Sequence, residues 1–120
     1  MSEIKKSLVY LATPYSSPDA FIREIRFNIV NKVAANLIKQ GLHIFSPISH
    51  SHPLAMVGDL PKGFDFWVQY DRAFLECCQK LLVLRLDGWQ DSKGVNGEMQ
   101  IAKELNIPIE FMDFDIKDYK

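Results

Sequence analysis

Two carboxylates, Glu98 and Asp71, are the residues whose type and position could do chemistry. Glu98 closes the stretch Leu81 to Ala102, LLVLRLDGWQDSKGVNGEMQIA, in which an apolar run empties into a Gly-rich polar loop. A carboxylate held ionised and aimed at an anomeric carbon can attack it and form a covalent glycosyl intermediate. A nearby helix start is expected to help keep Glu98 ionised. The ordinary explanation, an acidic residue of a capping box, needs Ser or Thr three positions earlier, and Val95 stands there. Asp71 follows Trp67 by four residues and precedes Phe74 by three, on or beside an apolar helical stripe. There it could bind a base edge or shuttle a proton. A surface position paired with Arg72 or Arg85 is the alternative.

Weaker candidates surround this pair. Tyr10 lies in the first apolar run and faces a crevice only if the strand register allows it. Ser92 and Gly94 could cradle an anion with a hydroxyl and backbone amides, although turn chemistry explains them equally well. His50 and His52 in Ser49-His50-Ser51-His52-Pro53 suggest a metal. They are only two ligands, however, and recruiting Asp59 or Asp65 matches no established spacing, so no metal and no other cofactor is expected. Base contact or loop structure suits these histidines better. Met56, Phe64, Phe66 and Trp67 could wall a base-stacking pocket, with core packing as the default. Neither G-x-x-x-x-G-K nor G-x-G-x-x-G occurs, which leaves P-loop kinases and Rossmann dehydrogenases without support.

The elements that must position these residues follow from periodicity. Leu8 to Ala12 reads as a buried strand. The turn Thr13 to Pro18 leads into a helix capped by Ser17, with Pro18 at its first position, an apolar face of Ile22, Ile25, Ile29, Val33 and Leu37, and a stop at Gly41. Leu42 to Phe45 is a second strand. Pro47 to Gly63 reads as a long loop of the kind that forms lids. A helix from Phe64 to Cys78 follows on a stripe of Trp67, Tyr70, Phe74, Cys77 and Cys78. Strands at Leu81 to Leu86 and Ile107 to Met112 flank a helix that carries Met99, Ala102 and Leu105 after the Glu98 loop.

This alternation predicts an α/β fold: a single-domain open parallel sheet, flavodoxin- or Rossmann-like, in strand order 2-1-3-4 with helices on both faces. The loops after Ala12 and Leu86 would then meet over one crevice at the carboxyl ends of the strands. The expected domain spans residues 1–120, with 113–120 as a peripheral charged tail. A length of 120 residues with 48% hydrophobic content suits one core. Fourteen basic against fifteen acidic residues give a net charge of −1, which draws the chain neither to nucleic acid nor to an anionic membrane. A small polar or nucleotide-sized ligand fits better. No signal segment or membrane span is read, so a cytoplasmic setting is expected. The adjacent Cys77 and Cys78 offer no disulfide framework and are expected as buried thiols.

Tyr10-Leu11-Ala12, Asp71 before the strand Leu82-Val83-Leu84, and Ser92-x-Gly94-x-x-x-Glu98 together resemble the nucleoside 2-deoxyribosyltransferases and the related 2′-deoxynucleoside 5′-monophosphate N-glycosidases. The resemblance covers most of the chain. It implies that Glu98 is the nucleophile at C1′, that Tyr10 orients it, and that Asp71 handles the departing base. Ser92, at a position where the transferases tend to carry an acid, tilts the resemblance toward a 5′-phosphorylated substrate, with Ser16 and Ser17 as further phosphate ligands. Asp87 and Asp91 could instead hold sugar hydroxyls, as in a transferase. The resemblance also implies a homodimer and a nucleoside or nucleotide as the small-molecule partner.

The chain departs from the pattern at Asn96 and Gly97, in its His-bearing loop and in ending after four strands. Its SPISHSHP, Trp67-x-x-Tyr70-Asp71 and LDGW segments look like those of a small bacterial and phage branch of the superfamily. Besides glycosyl chemistry on a nucleoside or its monophosphate, two alternatives stay open: a non-catalytic nucleotide-binding or sensing module, and hydrolysis of a larger N-glycoside such as NAD.

Overall fold

Alternate residues of the first strand serve opposite faces of one sheet, and this division organises the computed structural model, which describes residues 7–119. Strand β1, Leu8–Ala12, sends Val9 and Leu11 to one side and Tyr10 and Ala12 to the other. Strand β3, Lys80–Leu84, does the same with Leu82 and Leu84 against Leu81 and Val83. Helix α1, Ala20–Lys39, covers the first face with Val30, Val33, Ala34 and Leu37. Helices α3, Phe64–Leu75, and α4, Lys93–Glu104, cover the second with Leu75, Val95, Ile101 and Ala102. Burial on both faces explains why β3 reads as a continuous apolar run.

The sheet is parallel throughout, in order β2-β1-β3-β4, with β2 at His43–Phe45 and β4 at Ile109–Met112. Tyr10 pairs in register with Phe45 on one side and Leu81 on the other. The expected fold, strand order and two-sided helix packing are therefore observed. Among the described residues no helix is long and apolar enough to cross a membrane.

Several local expectations are corrected. The 47–63 segment is not a long loop: helix α2, Pro47–Gly58, occupies most of it. Pro47 takes the first helical position, where a missing N–H costs nothing, but Pro53 inside the helix removes a backbone bond and disfavours it locally. Burial of Ser51, His52 and Ala55 against the rest of the fold outweighs that penalty. Asp19, not Ser17, caps α1: its side chain accepts from Phe21 N at 2.9 Å, and Pro18 precedes the helix. Ile25 is exposed rather than packed. An α1 of 20 residues is about 30 Å long, whereas a five-residue strand spans about 17 Å. The amino-terminal half of α1 therefore overhangs the carboxyl ends of the strands, bringing Arg23, Glu24 and Arg26 to that end of the sheet.

Helix α3 ends at Leu75, before the two cysteines. Cys78 is buried, its thiol pushed up to about 11 by that burial, whereas Cys77 is exposed rather than buried as expected. The supposed packing stripe of Trp67, Tyr70 and Phe74 is only half-buried, and the buried line runs through Asp71 and Leu75. In the tail, Phe114 packs against the α1-side core, ahead of a short 3-10 turn at Ile116–Tyr119.

Candidate active site

The carboxyl group of Glu98 lies at the floor of a pocket over the ends of β1 and β3, and the Tyr10 hydroxyl donates to its Oε2 at 2.5 Å. Strand register places the tyrosine: Tyr10 is fully buried on the α3/α4 face. Helix periodicity places the acid. On α4 the buried line is Val95, Glu98, Ile101 and Ala102, so Glu98 takes a position that the pattern reserves for an apolar side chain. Asp71 does the same on α3, one turn before Leu75. The two helices pack on each other and bring the two acids to the same pocket.

The electrostatics differ from expectation. Helix α4 begins at Lys93, with Ser92 as its cap, so Glu98 is in the second turn, beyond the reach of the helix terminus. Burial pushes its carboxyl up to about 8; the Tyr10 hydrogen bond pulls it down, and the neighbouring Asp71 charge adds to the rise. The expected stabilisation of the carboxylate by the helix start is thus overruled by desolvation. Burial likewise pushes Asp71 up to about 7. Its supposed partners are engaged elsewhere, Arg72 with Glu76 and Glu104, and Arg85 with Asp113. The Tyr10 phenol is held well above its ordinary value, first by burial and then by the Glu98 and Asp71 charges.

The pocket is narrow within and opens to solvent at its mouth. Its wall takes Thr13, Tyr15 and Ser16 from the turn after β1, Ser51, His52 and Ala55 from α2, Phe64, Trp67 and Asp71 from α3, and Ser92, Gly94 and Glu98 beyond β3. The turns after β1 and β3 therefore do share one crevice. Arg26 ties them together, with Nη1 donating to Ser16 O at 3.0 Å and Nη2 to Asp87 O at 3.2 Å. Ser92 works first as a cap, its Oγ accepting from Val95 N at 3.1 Å. Ser16 Oγ donates to Lys62 O at 3.0 Å.

Other expected site residues lie elsewhere. Asp87 lines a separate groove with Ile22, Arg26 and Arg85, because its turn points toward α1. His50 is exposed and bonds the Tyr70 hydroxyl at 2.5 Å, on the side of α2 away from the pocket. Met56 and Phe66 are more than half exposed and do not wall the pocket, since the helical turn of α2 and α3 faces them outward. Among the described residues no group of three His, Cys, Asp or Glu could hold a metal. Sequence reasoning missed Tyr15, Thr13 and Lys62 as lining residues. Tyr15 sits in a Thr-Pro-Tyr-Ser-Ser-Pro run whose turn signals masked a buried aromatic.

Two desolvated carboxyls and a buried phenol meet at a crevice at the carboxyl edge of a doubly covered parallel sheet, the position at which open α/β sheets as a class build their ligand crevices. The chain belongs to the family described as domain of unknown function (DUF1937), whose model matches residues 7–113. No curated protein matches it.

Proposed function

We propose that this pocket cleaves the bond between base and sugar of a nucleoside or nucleoside 5′-monophosphate, with Glu98 as the nucleophile. The observation that carries this reading is the Tyr10–Glu98 hydrogen bond beside Asp71. Tyr10 occupies Oε2 and turns the carboxyl into the pocket, where its other oxygen can meet an anomeric carbon. In the first step Glu98 bonds to C1′, the C1′–N bond breaks, and its electron pair leaves with the base. Asp71, which burial makes a proton carrier near neutral pH, gives its proton to that base. Water or a second base then releases the sugar from Glu98. Phe64 and Trp67 supply apolar wall for a base, and Ser16, Ser92 and Gly94 supply polar groups for the sugar or a 5′-phosphate. A cytoplasmic homodimer is part of this reading.

The burial of Glu98 favours a second reading, a binding or sensing module: desolvation raises its carboxyl to about 8, which favours the protonated, weakly nucleophilic form. A single experiment separates the two. Wild type and Glu98→Gln are incubated with nucleosides, their 5′-monophosphates and NAD, with and without an added free base, and the mixtures are separated by chromatography. Base release or exchange by wild type alone supports the glycosyl mechanism. Intact ligand throughout, with binding retained, supports the sensing module.

A further inference from the structure

A second ionisable constellation reaches the same pocket from α1, α2 and the turn after β1. Tyr15 Oη lies 2.5 Å from His52 Nδ1, and His52 Nε2 lies 3.0 Å from Glu24 Oε1. Both Tyr15 and His52 are buried and line the pocket, whereas the Glu24 side chain is half exposed at 52%. The chain of contacts thus runs from the pocket interior to solvent. A carboxylate only accepts, so the neutral imidazole carries its proton on Nε2 toward Glu24. Nδ1 is then the lone-pair nitrogen, and the Tyr15 hydroxyl donates to it. This is the logic by which a carboxylate orients an imidazole to take a hydroxyl proton. Phe27 holds the ring in place, its centroid 4.3 Å from that of His52. Burial holds the Tyr15 phenol above its ordinary value; of the charged groups facing this chain from α1, Arg23 favours its ionisation and Glu24 opposes it. The glycosyl-forming step uses none of these residues.

We propose that Glu24, His52 and Tyr15 form a proton relay that deprotonates the water resolving the Glu98 intermediate, so that the pocket hydrolyses its substrate rather than passing the sugar to a second base. The proposal rests on the glycosyl reading above. In the step, the water oxygen bonds to C1′ while the C1′–O bond to Glu98 breaks and its electron pair returns to the carboxylate. The water proton passes to Tyr15 Oη as the phenol proton passes to His52 Nδ1. The imidazolium, held by Glu24, keeps its Nε2 proton and, once the sugar has left, returns its Nδ1 proton through the Tyr15 hydroxyl to water in the open pocket, which restores the starting tautomer. Asp71 regains from solvent the proton it gave to the base. Tyr15 is the catalytic residue, and His52 and Glu24 are positioning residues.

Rapid-quench base release and intact-protein mass, measured with 2′-deoxynucleoside 5′-monophosphates and their parent nucleosides, test the relay. Tyr15→Phe and His52→Gln are expected to keep a burst of base equal to the enzyme, lose about tenfold or more in the steady state, and accumulate a sugar adduct on Glu98. Glu24→Gln keeps an acceptor toward Nε2, so it is expected to retain more activity than Glu24→Ala and to shift the pH profile of the steady state. Nitrogen NMR of wild-type His52 reads the tautomer without substrate and without any variant having to fold; a proton on Nδ1 instead of Nε2 overturns the relay. An unchanged steady state in Tyr15→Phe also overturns the relay alone and leaves water activation to Asp71. No base release from wild type overturns the glycosyl reading, and the relay's role with it.

Discussion

The Phe64 ring lies against the backbone of Gly97, so close that a Cβ built on Gly97 would overlap the ring's Cζ and Cε2 atoms. Gly97 immediately precedes Glu98, and Phe64 lines the pocket, so the missing side chain lets an apolar wall sit beside the candidate nucleophile. Gly97→Ala is expected to push the ring into the pocket. The overpacking should cost about 1–3 kcal/mol of stability and weaken ligand binding by a larger factor than it changes turnover. Thermal melts and substrate titration check this. Phe64→Leu in the Gly97→Ala background should restore binding, and additive effects of the two changes would contradict the contact.

Tyr10→Phe removes one oxygen from a fully buried site and leaves Glu98 Oε2 without its donor. The expected loss is about 1–3 kcal/mol, the cost of an unsatisfied buried acceptor. Because the Tyr10 hydrogen bond lowers the Glu98 value, its removal should move that carboxyl above about 8. Carboxyl-resolved NMR titration reads the shift. A downward shift would mean that Tyr10 does not stabilise the ionised form.

Stability should fall as the pH rises. Glu98 keeps its proton in the folded chain to about 8 and releases it near 4.5 when unfolded, so between these values the unfolded state binds fewer protons. The stabilisation is complete below about 4.5 and is lost progressively up to about 8, at no more than about 1.4 kcal/mol per pH unit. Glu98→Gln removes this dependence and should melt higher than wild type at pH 8 by more than it does at pH 5. Parallel melting curves for the two proteins across that range would contradict burial of a titrating carboxyl.

The proposed mechanism requires ionised Glu98 and protonated Asp71, whose values lie near 8 and 7. The kcat/KM profile of base release should therefore be a bell with its maximum between about 7 and about 8, where the pair titrates together. Asp71→Asn should lower the rate by about 10²–10⁴ and remove the alkaline fall, leaving a profile that only rises with pH. An alkaline limb that persists in Asp71→Asn would assign it to another group.

Much of the fold was legible in order and type. The two-face burial of β1 and β3 imposes continuous apolar runs, and the long α1 imposes a helical period, so the parallel 2-1-3-4 sheet could be read from pattern alone. Helix α2 was not legible, because Pro53 and the paired histidines carry the local signature of a loop. What overrides that signature is burial of Ser51, His52 and Ala55, which depends on residues far away in sequence. The Ser17 cap failed for a smaller reason: Asp19, two residues later, offers an equally good acceptor, and only the backbone path decides between them.

At the site, Glu98 was visible at the end of a polar loop after an apolar strand, Asp71 on or beside an apolar helical stripe, and Tyr10 within an apolar strand. By itself the sequence determined that one carboxylate would follow the third strand near a helix start and that another would lie on or beside the apolar stripe of the preceding helix, since both are properties of neighbours along the chain. Only the tertiary structure decided that Tyr10 bonds Glu98 across 88 positions and that burial raises both carboxyls above the usual carboxylate range. It alone decided that His52, and not His50, faces the pocket. These outcomes depend on register, helix rotation and desolvation, which arise only when distant segments pack together.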